Sequence, residues 1–197
     1  MSTGRHDDAP IAARVRHLES TLERLGVLAP GEIDAKVDDN ARTGSPAHGA
    51  RIVARAWIDG DFRRRLLEDA NTAIRDLGLS MAGGVQEQRL EVVANSATTH
   101  NVIVCTLCSC YPISLLGPSP SWYKSEAYRA RVVREPREVL REFGLELAPS
   151  VDITVWDASA ESRYMVLPQR PPDTGALDEP ALAELVTRKG LIGTALR

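Results

Sequence analysis

All three cysteines of the chain fall in one short run, Cys105-Thr106-Leu107-Cys108-Ser109-Cys110. Three thiols spaced C-x-x-C-x-C on a loop can turn inward onto a single metal ion. The Cys-Ser-Cys tripeptide adds a second kind of donor. If the amides of Ser109 and Cys110 lose their protons, they complete an N2S2 plane with the sulfurs of Cys108 and Cys110. Cys105 then supplies an axial thiolate, and the opposite axial position stays open to water. Amidates and thiolates are strong-field donors, so they suit a low-spin trivalent ion such as cobalt or iron better than zinc, whose structural sites are closed tetrahedra. Spacing alone leaves two other readings in play: a structural zinc site with a fourth ligand such as His100, and an oxidised pair beside one spare thiol. Three cysteines cannot all pair, and no secretory signal is visible, which weighs against the disulfide.

The elements that must position this loop are readable on both sides of it. A strand expected over 101–104 delivers the chain directly into Cys105, after another over 90–93. Downstream, Pro112, Pro118 and Pro120 exclude helix until about Ser121. A helix carrying Trp122 and Tyr128 is expected from there to Arg134, and a second from Pro136 to Phe143 with Gly144 as its stop. Strands follow over 151–156 and 163–167, the first alternating Val151, Ile153 and Val155 against Asp152, Thr154 and Trp156. A last helix is expected over 179–187.

Upstream, Ile11, Val15, Leu18, Leu22 and Leu25 form one apolar stripe, which predicts a helix over 10–25 that stops at Gly26. That stripe is either a surface for a partner or an ordinary core face. Residues 31–49 read as a linker with a short helical turn near 33–37. Helices are expected over 50–58 and 61–77, the latter burying Phe62, Leu66, Ala70, Ile74 and Leu77 and ending at Gly78. Gly83-Gly84 marks a turn before the first strand. Helices first, then strands and helices mixed, favour an α+β layered fold over a doubly wound sheet. The expected domains are an N-terminal helical arm and linker over 1–49 and a metal-binding domain over 50–197.

The chain has 197 residues, 43% of them hydrophobic, so it can bury a proper core. A net charge of −3 offers no basic stripe to neutralise phosphates, which argues against nucleic acid. The cluster Arg63-Arg64-Arg65 reads as a solvated helix face. No run approaches a membrane span, and no apolar signal region is seen, so a cytoplasmic protein is expected.

At the cysteines the sequence resembles a known family. The run Cys105-Thr106-Leu107-Cys108-Ser109-Cys110-Tyr111-Pro112 is similar to the metal claw of nitrile hydratase α subunits. The resemblance continues through Trp122-Tyr123-Lys124, Tyr128-Arg129-Ala130-Arg131, Pro136-Arg137, Tyr164-Met165-Val166-Leu167-Pro168 and Leu185-Val186-Thr187-Arg188. It implies a four-layer α-β-β-α core with an extended helical arm. It also implies hydration of R–C≡N to the amide at a claw made of Cys105, Cys108, Ser109 and Cys110, with Cys108 oxidised to a sulfinic and Cys110 to a sulfenic acid. Thr106 and Tyr111 stand where the cobalt type of the family has Thr and Tyr and the iron type has Ser and Thr. The resemblance therefore implies one Co3+ per chain rather than iron.

The same resemblance implies a β-type partner subunit whose arginines hold the oxidised sulfurs, a small-molecule nitrile substrate and an accessory protein that inserts the metal. Gln86 is placed near the substrate channel, Ile113 in the pocket wall, and Asp157, Glu161 and Arg163 at the subunit contact behind the site. Read without the family, Gln86 is a surface loop residue and the 157–163 group a local ion-pair cluster. The chain departs from the family pattern at Ala94, usually Glu, and at Ile113, where nitrile hydratases usually carry Trp. Its segment Gly117-Pro118-Ser119-Pro120-Ser121-Trp122 leans toward thiocyanate hydrolase, the sister enzyme. A non-catalytic, zinc-stabilised or metal-carrying subunit is the reading from a different class.

Overall fold

The computed structural model describes residues 9–81, 87–107 and 110–197. The Gly83-Gly84 turn, Gln86, Cys108 and Ser109 lie outside the described residues. The chain divides into two compact units, Met1–Asn40 and Ala41–Arg197.

In the first unit α1 spans Ala9–Arg24, and Gly26 ends it with a left-handed φ of 70°. The following helix, α2, spans Glu32–Thr43 and runs past the end of that unit. The short turn expected near 33–37 is thus a full helix. Its start is fixed locally, because the Glu32 carboxylate accepts from the Ala29 N–H at 2.9 Å and Gly31 takes φ 73°. The stripe residues Ile11, Val15 and Leu18 are each more than half exposed.

In the second unit α3 spans Pro46–Ile58, four residues earlier than its apolar pattern suggests. Ser45 caps it by accepting from the Ala47 N–H, and Pro46 occupies the first turn, where its missing N–H costs nothing. The expected helix over 61–77 is two helices, α4 over Gly60–Glu68 and α5 over Ala70–Arg75. Asp69 divides them, since its carboxylate accepts from the Thr72 N–H at 3.1 Å and begins a new helix there. Phe62, Leu66, Ala70 and Ile74 keep one buried face across the break, and Leu77 packs against it from beyond the helix end.

Four strands make two parallel pairs. β1 (Arg89–Ala94) pairs with β4 (Ser162–Leu167), placing Val92 opposite Met165. β2 (Thr99–Val104) pairs with β3 (Asp152–Asp157), placing Val104 opposite Asp157. The chain therefore changes sheet between β1 and β2 and changes back between β3 and β4. Helices α4 and α5 lie on β1. The expected alternation along β3 is muted: residues 153–156 are all half-buried.

Beyond the cysteines, a short α6 (Ile113–Leu116) forms inside the proline-rich stretch where no helix was expected. Pro112 precedes it and Gly117 ends it at φ 69°, so the prolines bound the turn and do not interrupt it. The expected helix from Ser121 to Arg134 is a 3-10 turn over Ser121–Lys124 followed by α7 (Glu126–Val132). Ser125 separates them by accepting from the Tyr128 N–H. Next comes α8 (Pro136–Glu142), which Gly144 follows at φ 83° and which packs on β3. The last expected helix ends early as α9 (Glu179–Glu184), and a further helix that was not expected, α10 (Arg188–Ile192), follows, its start capped by the Thr187 hydroxyl, which accepts from the Gly190 N–H. α10 reaches β2 and β4 through Gly193, where any Cβ would collide with the Asn101 carbonyl.

One continuous core unites these layers, with Ile52, Leu66, Ile74, Ile103, Leu116, Leu140, Met165 and Leu191 all fully buried. Burial of side chains this size stabilises by roughly 1.5–3 kcal/mol each. The result is the α+β fold expected.

Candidate metal centre

The apolar run Val102-Ile103-Val104 is fully buried, and it carries Cys105 into the interior with 1% of its surface exposed. The parallel ladder closes just there, with the Ala158 N–H donating to the Val104 carbonyl at 2.7 Å. That register sets Asp157 beside the first turn of the loop. Its carboxylate accepts from the Thr106 N–H at 2.9 Å and from the Thr106 hydroxyl at 2.5 Å. The Thr106 carbonyl is taken in turn by Arg129, whose Nη1 donates at 3.2 Å.

Leu107 then stands 90% exposed at the loop tip. Cys110 is half-buried, and its carbonyl accepts from the Tyr123 hydroxyl at 3.1 Å. Tyr111 turns inward, 3% exposed, and its ring meets Tyr123 edge-on at 4.9 Å. Burial pushes the Tyr111, Tyr123 and Tyr128 phenols well above their ordinary range, so all three stay protonated. The Tyr128 hydroxyl donates to the Ile103 carbonyl at 2.7 Å. Ile113, at the start of α6, is 45% exposed.

His100 is not placed as a ligand. Its Nε2 lies 2.7 Å from the Gly193 carbonyl, which can only accept, so Nε2 carries the proton. Its Nδ1 then accepts from the Asn95 amide at 3.3 Å. Burial lowers its pKa below the ordinary 6.5, with the Gly193 hydrogen bond opposing. Both nitrogens of a neutral imidazole are thus used inside the fold, which removes His100 as the fourth ligand of a zinc site.

The 157–163 group separates into distinct tasks. Asp157 holds Thr106. Glu161 accepts from the Ser159 hydroxyl at 2.9 Å, and that hydrogen bond, ahead of the nearby Arg163 charge, keeps its carboxyl below the usual range. Arg163, 8% exposed, donates from Nη1 to the Ser159 and Ala160 carbonyls and so braces the loop between β3 and β4. This group is tied together through the backbone more than as an ion-pair cluster.

Among the described residues no group of three His, Cys, Asp or Glu side chains could hold a metal. Cys105 and Cys110 nevertheless bracket one loop, and two of its carbonyls are already occupied by Arg129 and Tyr123. Sulfur and amide nitrogen are the donors such a loop presents, a set that fits a thiophilic transition-metal ion. Sequence reasoning missed the part played by Tyr123, Tyr128 and Arg129. The one local signal was an aromatic cluster just after the prolines.

Residues 9–195 match the family model described as nitrile hydratase, alpha chain. The low-molecular weight cobalt-containing nitrile hydratase subunit alpha of Rhodococcus rhodochrous is 50% identical over 94% of this chain and 88% of its own length. The cobalt-containing nitrile hydratase subunit alpha of Pseudonocardia thermophila is 47% identical over 93% and 89%. Thiocyanate hydrolase subunit gamma of Thiobacillus thioparus is 44% identical over 80% and 68%. Among solved structures, a mutant Fe-type nitrile hydratase from Comamonas testosteroni Ni1 superposes with a TM-score of 0.88 at 40% identity, covering 96% of this chain and 91% of that one. A recombinant thiocyanate hydrolase with partially modified cobalt centres superposes at 0.85 and 39% identity, covering 97% and 90%.

Proposed function

The chain belongs to the nitrile hydratase α-chain family, and on that premise we propose that it is the metal-bearing subunit of an enzyme hydrating a nitrile to its amide. The observation that carries the reading is the pinning of Cys105 and Cys110 at the two ends of one loop by Asp157, Arg129 and Tyr123. Cys105, Cys108 and Cys110, with the amides of Ser109 and Cys110, would hold one Co3+. Thr106 and Tyr111 support cobalt over iron, as do the cobalt-containing relatives. When bound, the ion supplies a Lewis acid toward the nitrile nitrogen or a water molecule.

The chain's own contribution is a set of placed groups. Cys108 carries a sulfinate and Cys110 a sulfenate, and the Cys110 sulfenate oxygen takes a proton from the attacking water. The water oxygen bonds to the nitrile carbon as that proton passes on to the nitrogen, giving the imidic acid R–C(OH)=NH, and transfer of the remaining proton from oxygen to nitrogen gives the amide with no change of oxidation state. By the family resemblance Gln86 and Ile113 would serve the substrate pocket, and Asp157, Glu161 and Arg163 would support the contact with a β-type subunit. The 1–49 arm packs on that partner through the stripe of Ile11, Val15 and Leu18. An accessory protein inserts the metal, and the reducing cytoplasm keeps the thiols available until it does. Among the described residues no helix is long and apolar enough to cross a membrane.

The second reading is thiocyanate hydrolysis, favoured by the likeness to the thiocyanate hydrolase gamma subunit. The experiment is to purify the native complex and measure its metal, the masses of peptides containing Cys108 and Cys110, and its products. One cobalt per chain, oxidised cysteines and amide from nitriles are expected. Ammonia from thiocyanate would move the assignment to the sister reaction, and one zinc with three unmodified thiols would overturn both. The isolated chain is expected to be inactive, and full activity from it alone with cobalt would remove the β-type partner.

A further inference from the structure

One short segment, 123–129, reaches the claw loop at two places and the strand that leads into it at a third. The Tyr128 hydroxyl donates to the Ile103 carbonyl at 2.7 Å, just before Cys105. Arg129 Nη1 donates to the Thr106 carbonyl at 3.2 Å. The Tyr123 hydroxyl donates to the Cys110 carbonyl at 3.1 Å. Entry, first turn and exit of the loop are thus held from the same side by neighbouring side chains.

The donors are themselves immobilised. Tyr123 is 1% exposed and Tyr128 5%. Their rings pack with each other and with Trp122, Tyr111 and Phe143 at centroid distances of 4.9 to 6.2 Å, mostly edge-on. Ser125 ends the 3-10 turn that carries Tyr123 and caps α7, which carries Tyr128 and Arg129, so the spacing of the three donors is set by backbone. A rigid cluster this close to reactive sulfur can act as a template for the shape of the loop.

We propose that Tyr123 is a positioning residue for the claw: its hydroxyl fixes the Cys110 peptide, and so aims the Cys110 sulfur, while Arg129 and Tyr128 fix the opposite end. The proposal rests on the reading of Cys105–Cys110 as a metal claw. The Cys110 carbonyl belongs to the peptide that follows the metal-binding amides, so the hydrogen bond steers the sulfur's position without drawing charge from those nitrogens. Misplacing a reacting group by about 1 Å costs on the order of 10²-fold in rate. Tyr123 acts on kcat through Cys110 and touches no substrate, so KM should barely respond.

The test uses the cobalt-loaded complex with its β-type subunit and compares wild type with Tyr123→Phe, which keeps the ring and removes the hydroxyl. Four quantities are read: cobalt content, the sulfur-to-metal absorption band, kcat and KM, and the unfolding temperature. Tyr123→Phe is expected to keep full cobalt and to unfold near the wild-type temperature, while the band shifts and kcat falls roughly 10- to 100-fold with KM within about twofold. A wild-type band and kcat overturn the proposal. So does activity lost only in proportion to cobalt, with the remaining band unchanged, because that marks a merely structural role.

If Tyr123→Phe fails to assemble, Arg129→Gln tests the same template from the other end. A shifted band supports it and a wild-type band overturns it. A wild-type complex with neither a sulfur-to-metal band nor hydratase activity would instead remove the claw reading beneath the proposal, an outcome distinct from either variant result.

Discussion

The Asp157 carboxylate binds Thr106 twice, through its N–H at 2.9 Å and its hydroxyl at 2.5 Å, and so ties the end of β3 to the residue following Cys105. Two hydrogen bonds to one charged group shape the first turn of the claw before any metal arrives. Removing the charge should loosen that turn more than it destabilises the fold, because Asp157 is exposed and water replaces part of what is lost. Asp157→Asn is expected to cost about 1 kcal/mol in global stability. It should lose cobalt to a chelator faster than wild type, and unchanged loss kinetics would show that Asp157 does not preorganise the loop.

The three claw cysteines should be individually indispensable. Removing one sulfur leaves a trivalent ion without a strong-field donor, so Cys105→Ala, Cys108→Ala and Cys110→Ala are each expected to purify without stoichiometric cobalt. Metal analysis of the three complexes decides this, and one cobalt per chain in Cys105→Ala would contradict the donor set. The buried position of Cys105 makes it the strictest case, since no side chain from solvent can take its place.

Ile113 opens α6 three residues after the claw and is 45% exposed, so its side chain is available to a pocket in front of the site. A branched aliphatic where the family resemblance implies an indole would leave volume for a bulky nitrile, such as a cyano group on a fused heterocycle or a nucleoside-like molecule. Ile113→Trp is expected to favour a small aliphatic nitrile over a large heteroaromatic one by about 10- to 200-fold in kcat/KM. A ratio that stays put, or moves toward the larger substrate, would show that residue 113 does not set pocket size.

His100 makes stability depend on pH. Its folded pKa is lowered by burial below the ordinary 6.5, so the unfolded chain binds more protons near neutrality. Stability from this residue is complete above about pH 6.5 and is lost as pH falls through that value toward the folded pKa. Thermal unfolding between pH 7.5 and pH 5, about one unit above and 1.5 below the ordinary histidine pKa, should show a decline that His100→Gln flattens. Gln keeps an N–H for the Gly193 carbonyl and cannot be protonated. Equal slopes for the two proteins would assign the decline to other groups.

Much of this was legible along the chain. Cysteine spacing pointed to a metal loop because donor type and chain length alone limit what three thiols can do together. Gly26, Gly78 and Gly144 marked helix ends because a left-handed φ of 70° to 83° is cheap only for glycine. Strand positions followed from β-branched runs. Asp69 and Ser125 were misread as helix interior because apolar periodicity continued across them, and Thr187 was read as the end of one helix where its side chain caps the start of the next.

Tertiary structure alone decided which strands pair. Nothing local makes β1 choose β4 and β2 choose β3, because parallel partners are chosen by how the layers bury their faces. That choice places Asp157 beside Thr106 across a separation of 51 residues and Tyr128 under Ile103 across 25. The donors that could bind a metal were written in one short run of sequence. The anchors that give that run its shape came from distant segments, because hydrogen bonds between them exist only once the parallel register and the core beneath it have formed.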